Sequence, residues 1–437
     1  MAQDNSSYRL PAIQFGVIFD FYFSQLKNAY TQQHIWTLNE TLEIEAFQRA
    51  WNQLIERHEA LRTSFDLIKK LGIIHNDTSI TIHHYDWTEI HSRDVDGRFQ
   101  RFLKEDRAQK LDLSIAPPFR VSLIKLAVDQ YRLVWTYHHG SFDGRARFLL
   151  VKELFMLYQA AVQEAPLGLQ KPTSYRQYCD WVTSLDMSES IKYWKRVLKE
   201  FTPAPQINRL LRSSTPETYM NSDQKSIQLS ENVHQTIKDF AKSQDVTVST
   251  LIQAAWILVL SKTAELDDVA IGVIRTCRSS AFPELKSIVG LLINVVPIRM
   301  EISKNHTLNE WLKTLREQWI NMRDHIHVPL TDITKAIELP PGNKLFQTTI
   351  MFDTQDETEE LQSLGNEWLN RSFRKIENNT VDLELNITAY KTMNIMLEYS
   401  SERFDIATID LLLEEFAATL VKMTLGGQQS ISSLVGR

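Results

Sequence analysis

Cysteine is almost absent from this 437-residue chain: only Cys179 and Cys277 occur, about a hundred residues apart. That excludes a disulfide framework and a cysteine-rich zinc site. Glycine is sparse, with 13 residues scattered along the chain and no glycine-rich phosphate loop, so ATP chemistry is not expected. Long apolar runs are missing too. The longest, Ala254 to Leu260, falls far short of the roughly 18 residues of a membrane span. Positive charge is not in excess: 48 Lys and Arg against 54 Asp and Glu leave a net charge of −6, which argues against a nucleic-acid binder relying on a basic surface. The opening Met1 to Leu10 lacks the apolar stretch of a secretory signal. The Asn-x-Ser/Thr sequons at Asn5, Asn39, Asn76, Asn305, Asn370, Asn378 and Asn386 then read as coincidence, and a cytoplasmic protein is expected.

What is present is core-forming material, 43% hydrophobic and 23% charged, as in a globular protein. Helix and strand patterns alternate, which predicts a mixed α/β fold. Ile44, Phe47, Trp51, Leu54 and Ile55 recur at helical spacing within Glu43 to His58. A strand is expected at Ile80 to His84, then a charged helix over Arg98 to Gln109. Val121 to Leu126 and Tyr131 to His138 read as a hairpin about Asp129-Gln130, followed by a helix from Leu149 to Ala161. The proline- and glycine-bearing stretch Gln163 to Thr173 is the expected seam, giving lobes 1–172 and 173–437. In the second lobe, helices are expected at Ser188 to Phe201, Glu231 to Ser243, Ser249 to Thr263, Leu308 to His325 and Ala407 to Met423. Ser249 to Thr263 is apolar nearly all round and should be buried. Strands are expected at Lys225 to Leu229, Val269 to Ile274, Ile293 to Met300, Phe346 to Phe352, Leu383 to Tyr390 and Ile395 to Tyr399.

The chemistry concentrates in Tyr137-His138-His139-Gly140-Ser141-Phe142-Asp143-Gly144. Adjacent histidines at a strand end face opposite sides, so they cannot share one task. Imidazole is the side chain best suited to proton transfer near neutral pH. An aspartate four residues on, followed by glycine, suits a turn that folds a carboxylate back towards the strand end. Elsewhere, Cys179 and Cys277 have no neighbouring histidine motif and read as inert thiols. His75 stands alone, His83-His84 has only Asp86 close by, and His325 and His327 suit packing; no convincing metal site emerges.

His138-His139-x-x-x-Asp143-Gly144 resembles the HHxxxDG signature of nonribosomal peptide synthetase condensation domains and their acyltransferase relatives. Arg57-His58-Glu59-Ala60-Leu61-Arg62-Thr63-Ser64-Phe65, Pro118-Phe119-Arg120, Tyr175 to Trp181, Tyr193-Trp194, Val269 to Arg278, Val289 to Arg299, Leu339 to Gly342 and Leu345-Phe346-Gln347 resemble further family segments, so the likeness covers essentially the whole chain. It departs at Arg145-Ala146, at Cys277, and in the aromatic and glutamine motif loosely kept around Ile13 to Asp20.

The resemblance implies two chloramphenicol acetyltransferase-like lobes forming a V-shaped pseudo-dimer with a central tunnel. It implies a monomer served by donor and acceptor carrier proteins, with substrates on their phosphopantetheine arms and no permanently bound cofactor or metal. His139 is implied as the catalytic histidine, either removing the amine proton or positioning the amine and stabilising charge. Asp143 is implied as structural, pairing with Arg278, while His138, Gly144 and Arg62 support the site and Gly144 leaves backbone room. Arg145 is a candidate contact for an anionic group on the substrate. The activity implied is amide formation from a carrier-bound thioester. Two alternatives stand beside it: ester formation with an alcohol acceptor, and a non-catalytic docking domain. The late D-F-G-W-G block of plant-type acyltransferases is absent.

Overall fold

The computed structural model describes residues 6–23, 28–203, 207, 210, 222–278, 283–302, 306–340, 342–354, 356–377 and 382–436. Asn5, Asn305, Asn378, Pro341 and most of the proline-rich stretch after Thr202 lie outside the described residues. The chain opens with β1 (Ser6–Arg9), α1 (Ala12–Phe23), β2 (Thr31–Leu38) and α2 (Ile44–Arg57). Then come β3 (Thr63–Asp66), β4 (Leu71–Ile74), β5 (His83–Asp86), α3 (Ser92–Ala108), β6 (Phe119–Ala127) and β7 (Gln130–His138). Helices α4 (Gly144–Val162), α5 (Tyr175–Ser184) and α6 (Ser188–Val197) lead to β8 (Ser222–Leu229), α7 (Glu231–Ser243), α8 (Val248–Ala264), β9 (Asp268–Thr276) and β10 (Ile293–Glu301). The rest is α9 (Leu308–Met322), α10 (Leu330–Ala336), β11 (Thr348–Asp353), α11 (Glu357–Gln362), β12 (Arg371–Ile376), β13 (Leu383–Ala389), β14 (Met393–Ser400), α12 (Ile406–Met423) and α13 (Ile431–Val435).

The chain divides into two compact units, and neither is continuous in sequence. The first is Met1–Leu185 with Arg278–Leu292 and Glu357–Thr380; the second is Asp186–Cys277, Ile293–Asp356 and Val381–Arg437. The first unit thus runs past the expected seam at residue 172, and Arg278, expected in the C-terminal lobe, sits in the unit that carries the histidines. The segment Glu357–Thr380 joins it by pairing, β12 adding to β2 in antiparallel register with Arg371 opposite Leu38, and Arg278 joins it through its ion pair with Asp143.

In the first unit five strands run in the order β12-β2-β7-β6-β5, beside a small sheet β1-β4-β3. Alternation along β7 sorts the core. Leu133, Trp135 and Tyr137 join Trp36, Trp51 and Phe155 under α2 and α4, while Val134 joins Ile35, Ile124, Phe99 and Leu103 of α3 on the opposite face. The expected strand Ile80 to His84 is shifted to His83–Asp86. Side chains of α2 take the backbone groups of Ile80 and Ile82 instead: Asn52 Oδ1 accepts from Ile80 N–H, and Gln48 bonds both Ile80 O and Ile82 N–H.

In the second unit the sheet order is β10-β9-β11-β13-β14-β8. As its all-round apolarity predicts, α8 is buried from Thr250 to Ser261. Its Trp256 donates to Thr348 Oγ1 at 3.2 Å and meets Phe416 of α12 edge-on. Among the described residues no single helix is long and apolar enough to cross a membrane.

Candidate active site

The hairpin β6–β7 delivers the histidine pair to the end of a strand whose other residues are fixed in the core. His138, the last residue of β7, is fully buried, with its ring against Phe21 at 4.7 Å between centroids. Gly140 N–H donates to its Nδ1 at 3.1 Å, so the ring proton sits on Nε2. Burial, with the adjacent His139 adding to it, lowers the His138 pKa to about 3, and this ring is neutral at physiological pH.

His139 has stepped out of the sheet and is half-buried. Its backbone N–H bonds Tyr30 O at 2.9 Å, and its Nδ1 lies 3.1 Å from Phe142 O. A carbonyl only accepts, so Nδ1 carries the proton and Nε2 of the neutral ring is left with its lone pair. The two neighbouring imidazoles therefore hold opposite tautomers, each set by a loop hydrogen bond.

Asp143 does more than turn the chain. It is the N-cap of α4, with Oδ1 accepting from Ala146 N–H at 2.9 Å. The same oxygen receives Arg278 Nη2 at 2.7 Å, and Oδ2 receives Leu292 N–H at 2.9 Å. Asp143 N–H donates to Gly290 O at 3.1 Å. Arg278 Nη1 in turn donates to the carbonyls of Leu285 at 3.0 Å and Ile288 at 2.7 Å. Both members of the pair are buried. One ion pair with its satellite bonds thus ties the histidine loop to the segment 283–292.

Other expected residues fall differently. Gly144 has an ordinary backbone, and a Cβ there would meet nothing nearer than Arg147 Nη2 at 3.9 Å, so no room is needed. The crowded glycine is Gly140, where a Cβ would come within 2.9 Å of both His138 Nδ1 and Ile18 Cγ1. Arg145 is exposed on α4, 3.6 Å from Glu360 and over the Phe148 ring. Arg62 donates to His75 O at 2.7 Å and lines a cavity of about 1050 Å³ with Arg57, His58 and Glu59; neither His138 nor His139 lines it. His325 packs, stacked on Tyr193 with Nδ1 2.9 Å from Ser190 Oγ. Burial pushes the Cys179 thiol well above its usual range.

Further residues complete this site, of which only Gln14 lies in a segment the sequence marked, the loosely kept glutamine motif. Gln14 of α1 is fully buried and donates to Gly140 O at 2.8 Å, bracing the loop from outside. Glu377, just past β12, accepts from Gln32 Nε2 at 3.1 Å and pairs with Lys375 at 3.1 Å. Burial raises its pKa, but the Lys375 ammonium it bonds, with Arg147 further off, outweighs this and holds it below the usual carboxylate value. Behind it, Trp36 donates to His34 Nδ1 at 2.7 Å, and His34 Nε2 meets Glu357 at 3.1 Å. Glu357 also takes Arg147 at 3.1 Å, and the Arg147 and His34 charges draw its pKa far below normal despite burial.

The family model of the condensation domain matches residues 4–435. The chain belongs to that family. This condensation domain is 27% identical over 442 residues to surfactin synthase subunit 3 of Bacillus subtilis (strain 168), covering 99% of this chain and 34% of that protein. It is 29% identical over 336 residues to bacitracin synthase 1 of Bacillus licheniformis, covering 76% of this chain and 6% of that one. It therefore spans about a third or less of the length of these relatives. In fold it resembles the X-domain in its complex with OxyB from teicoplanin biosynthesis, at TM-score 0.83 and 19% identity over 99% of this chain and 97% of that one. It equally resembles an Arg-to-Ala mutant of the starter condensation domain of rhizomide synthetase in complex with C8-CoA, at TM-score 0.82 and 18% identity over 98% and 97% of the two chains.

Two outcomes follow from the loop geometry. Asp143→Ala removes one member of a buried pair together with a helix cap, and should lower the free energy of unfolding by about 3–5 kcal/mol in urea titration; a change below about 1 kcal/mol would show that the pair holds nothing. Gly140→Ala should destabilise by about 1–3 kcal/mol through overpacking, whereas Gly144→Ala should be neutral or slightly stabilising. Equal melting temperatures for the two variants would contradict this reading of the loop.

Proposed function

We propose that this condensation domain transfers an acyl group from a thioester on the phosphopantetheine arm of one carrier protein to an amine presented by a second, forming an amide. The observation that most supports this is the His139 ring, anchored through Nδ1–H to Phe142 O with Nε2 left as a base. The amine nitrogen attacks the thioester carbonyl carbon and the carbon–nitrogen bond forms. The carbonyl electron pair returns as the carbon–sulfur bond breaks, and the proton lost from nitrogen ends on the departing sulfur. His139 Nε2 is the group that takes the proton from nitrogen and hands it on, or aligns the amine while that happens.

A docking role without catalysis is the reading suggested by the X-domain, which was solved with OxyB bound. Against it here stands the intact loop: a scaffold has no use for a ring whose tautomer is set by Phe142 or for a buried pair behind it. Intact-mass spectrometry of carrier proteins separates the two. Incubated with acyl-loaded donor and amine-loaded acceptor carriers, the native chain should move the acyl mass to the acceptor. His139→Ala should lower that rate by about 10²-fold or more while the melting temperature stays unchanged. Undiminished transfer by the variant would overturn the assignment of His139, and transfer to an alcohol acceptor alone would replace amide by ester formation.

A further inference from the structure

In the second unit, one arginine has a seat but no counter-charge. Arg275, near the end of β9, lays its guanidinium over the Trp319 ring of α9, 4.4 Å from the centroid. Trp319 Nε1 donates to Gln253 Oε1 of α8 at 2.7 Å, so the indole is held in place. Stacking of this kind orients a guanidinium and leaves its N–H edge to bond elsewhere. Yet Arg275 Nε is buried and has no hydrogen-bond partner among the described residues. A buried N–H of a charged group left unmet is costly.

A second arginine converges on the first. Arg275 stands opposite Asn294 of β10 in antiparallel register. Asn294 Nδ2 donates to Ile326 O at 2.7 Å and to Val328 O at 2.8 Å, which ties the turn after α9 to that same register position. The turn opens at Arg323, one helical turn beyond Trp319 and so on the same helix face. Arg323 is exposed. Burial lowers the Arg275 pKa, and the charge of Arg323 lowers it further. Arg316, also on α9, has its own acid, Asp245 at 3.1 Å. Arg275 and Arg323 have none at ion-pair distance among the described residues.

Two guanidiniums drawn together with no acid between them raise the local positive potential and invite an anion. We propose that Arg275 and Arg323 bind a phosphate group, as inorganic phosphate or as a phosphate monoester. A carboxylate offers two oxygens, and one guanidinium fork fills them. A phosphate dianion offers at least three, enough for a fork from Arg275 and a further bond from Arg323. The Trp319 shelf holds the first fork ready, so less freedom is lost when the anion arrives.

Isothermal titration of the full chain at fixed ionic strength tests this, with inorganic phosphate, methyl phosphate and acetate in separate arms. At least one phosphate should bind saturably, and acetate about tenfold more weakly or worse. Tighter binding of methyl phosphate identifies an ester as the ligand, and tighter binding of inorganic phosphate identifies the free ion. Arg275→Lys keeps the charge but loses the fork, and should weaken phosphate about tenfold or more. Arg323→Gln alters an exposed side chain, so it should fold as the native chain does and weaken phosphate in the same sense. No saturable phosphate binding, acetate as tight as phosphate, or unchanged affinity in Arg323→Gln would each overturn the proposal. No turnover enters the measurement, so its failure leaves acyl transfer standing, and an inactive transfer assay leaves this site standing.

Discussion

The arrangement of the histidine loop depends on one buried ion pair. Asp143 and Arg278 are far apart in sequence, yet their 2.7 Å contact closes a knot of bonds that includes the first turn of α4 and the backbone of Leu285, Ile288, Gly290 and Leu292. Buried pairs are weak evidence for net stability, because desolvation consumes much of the attraction. Their value lies in geometry: an aspartate with both oxygens engaged has one position, and the loop ending on it has few. Gln14 adds a brace at Gly140, so the stretch between the histidine pair and Asp143 is held at both ends.

Within that frame a single strand step separates two imidazoles of opposite character. His138 remains in the sheet, loses solvent and accepts a backbone hydrogen bond, which makes it a neutral packing group. His139 leaves the sheet, donates to Phe142 O and keeps Nε2 available. The same residue type is thus a packing group at one position and a ring with an open nitrogen at the next, through burial and one hydrogen bond each.

The hydropathy pattern made most of the fold legible. The amphipathic α2, the hairpin β6–β7 and the apolar α8 lie where periodicity predicts them, because each has a core face written into local spacing. The histidine motif and its aspartate were legible for a different reason, a specific signature spread over the chain. What escaped were elements whose burial is settled by distant partners. β2 reads Thr-Gln-Gln-His at its start, a polar string with no strand signal, and it is buried only because Glu357, Asp106 and Glu377 receive its side chains. β12 holds Arg371, fully buried between Glu40 and the Phe155 ring, which no local pattern suggests. Gly140 and Gly144 look alike in sequence; only the packing of His138 and Ile18 shows which one must stay a glycine.

Acyl transfer by this loop, as proposed, depends on the protonation pattern of one ring. Long-range ¹H–¹⁵N correlation of histidine side chains at neutral pH reads it directly, with His139→Gln identifying the resonance. The neutral His139 ring should be the Nδ1–H tautomer with Nε2 unprotonated, and Asp143→Asn should blur that preference as the loop loosens. An Nε2–H tautomer for His139 in the native chain would contradict the account.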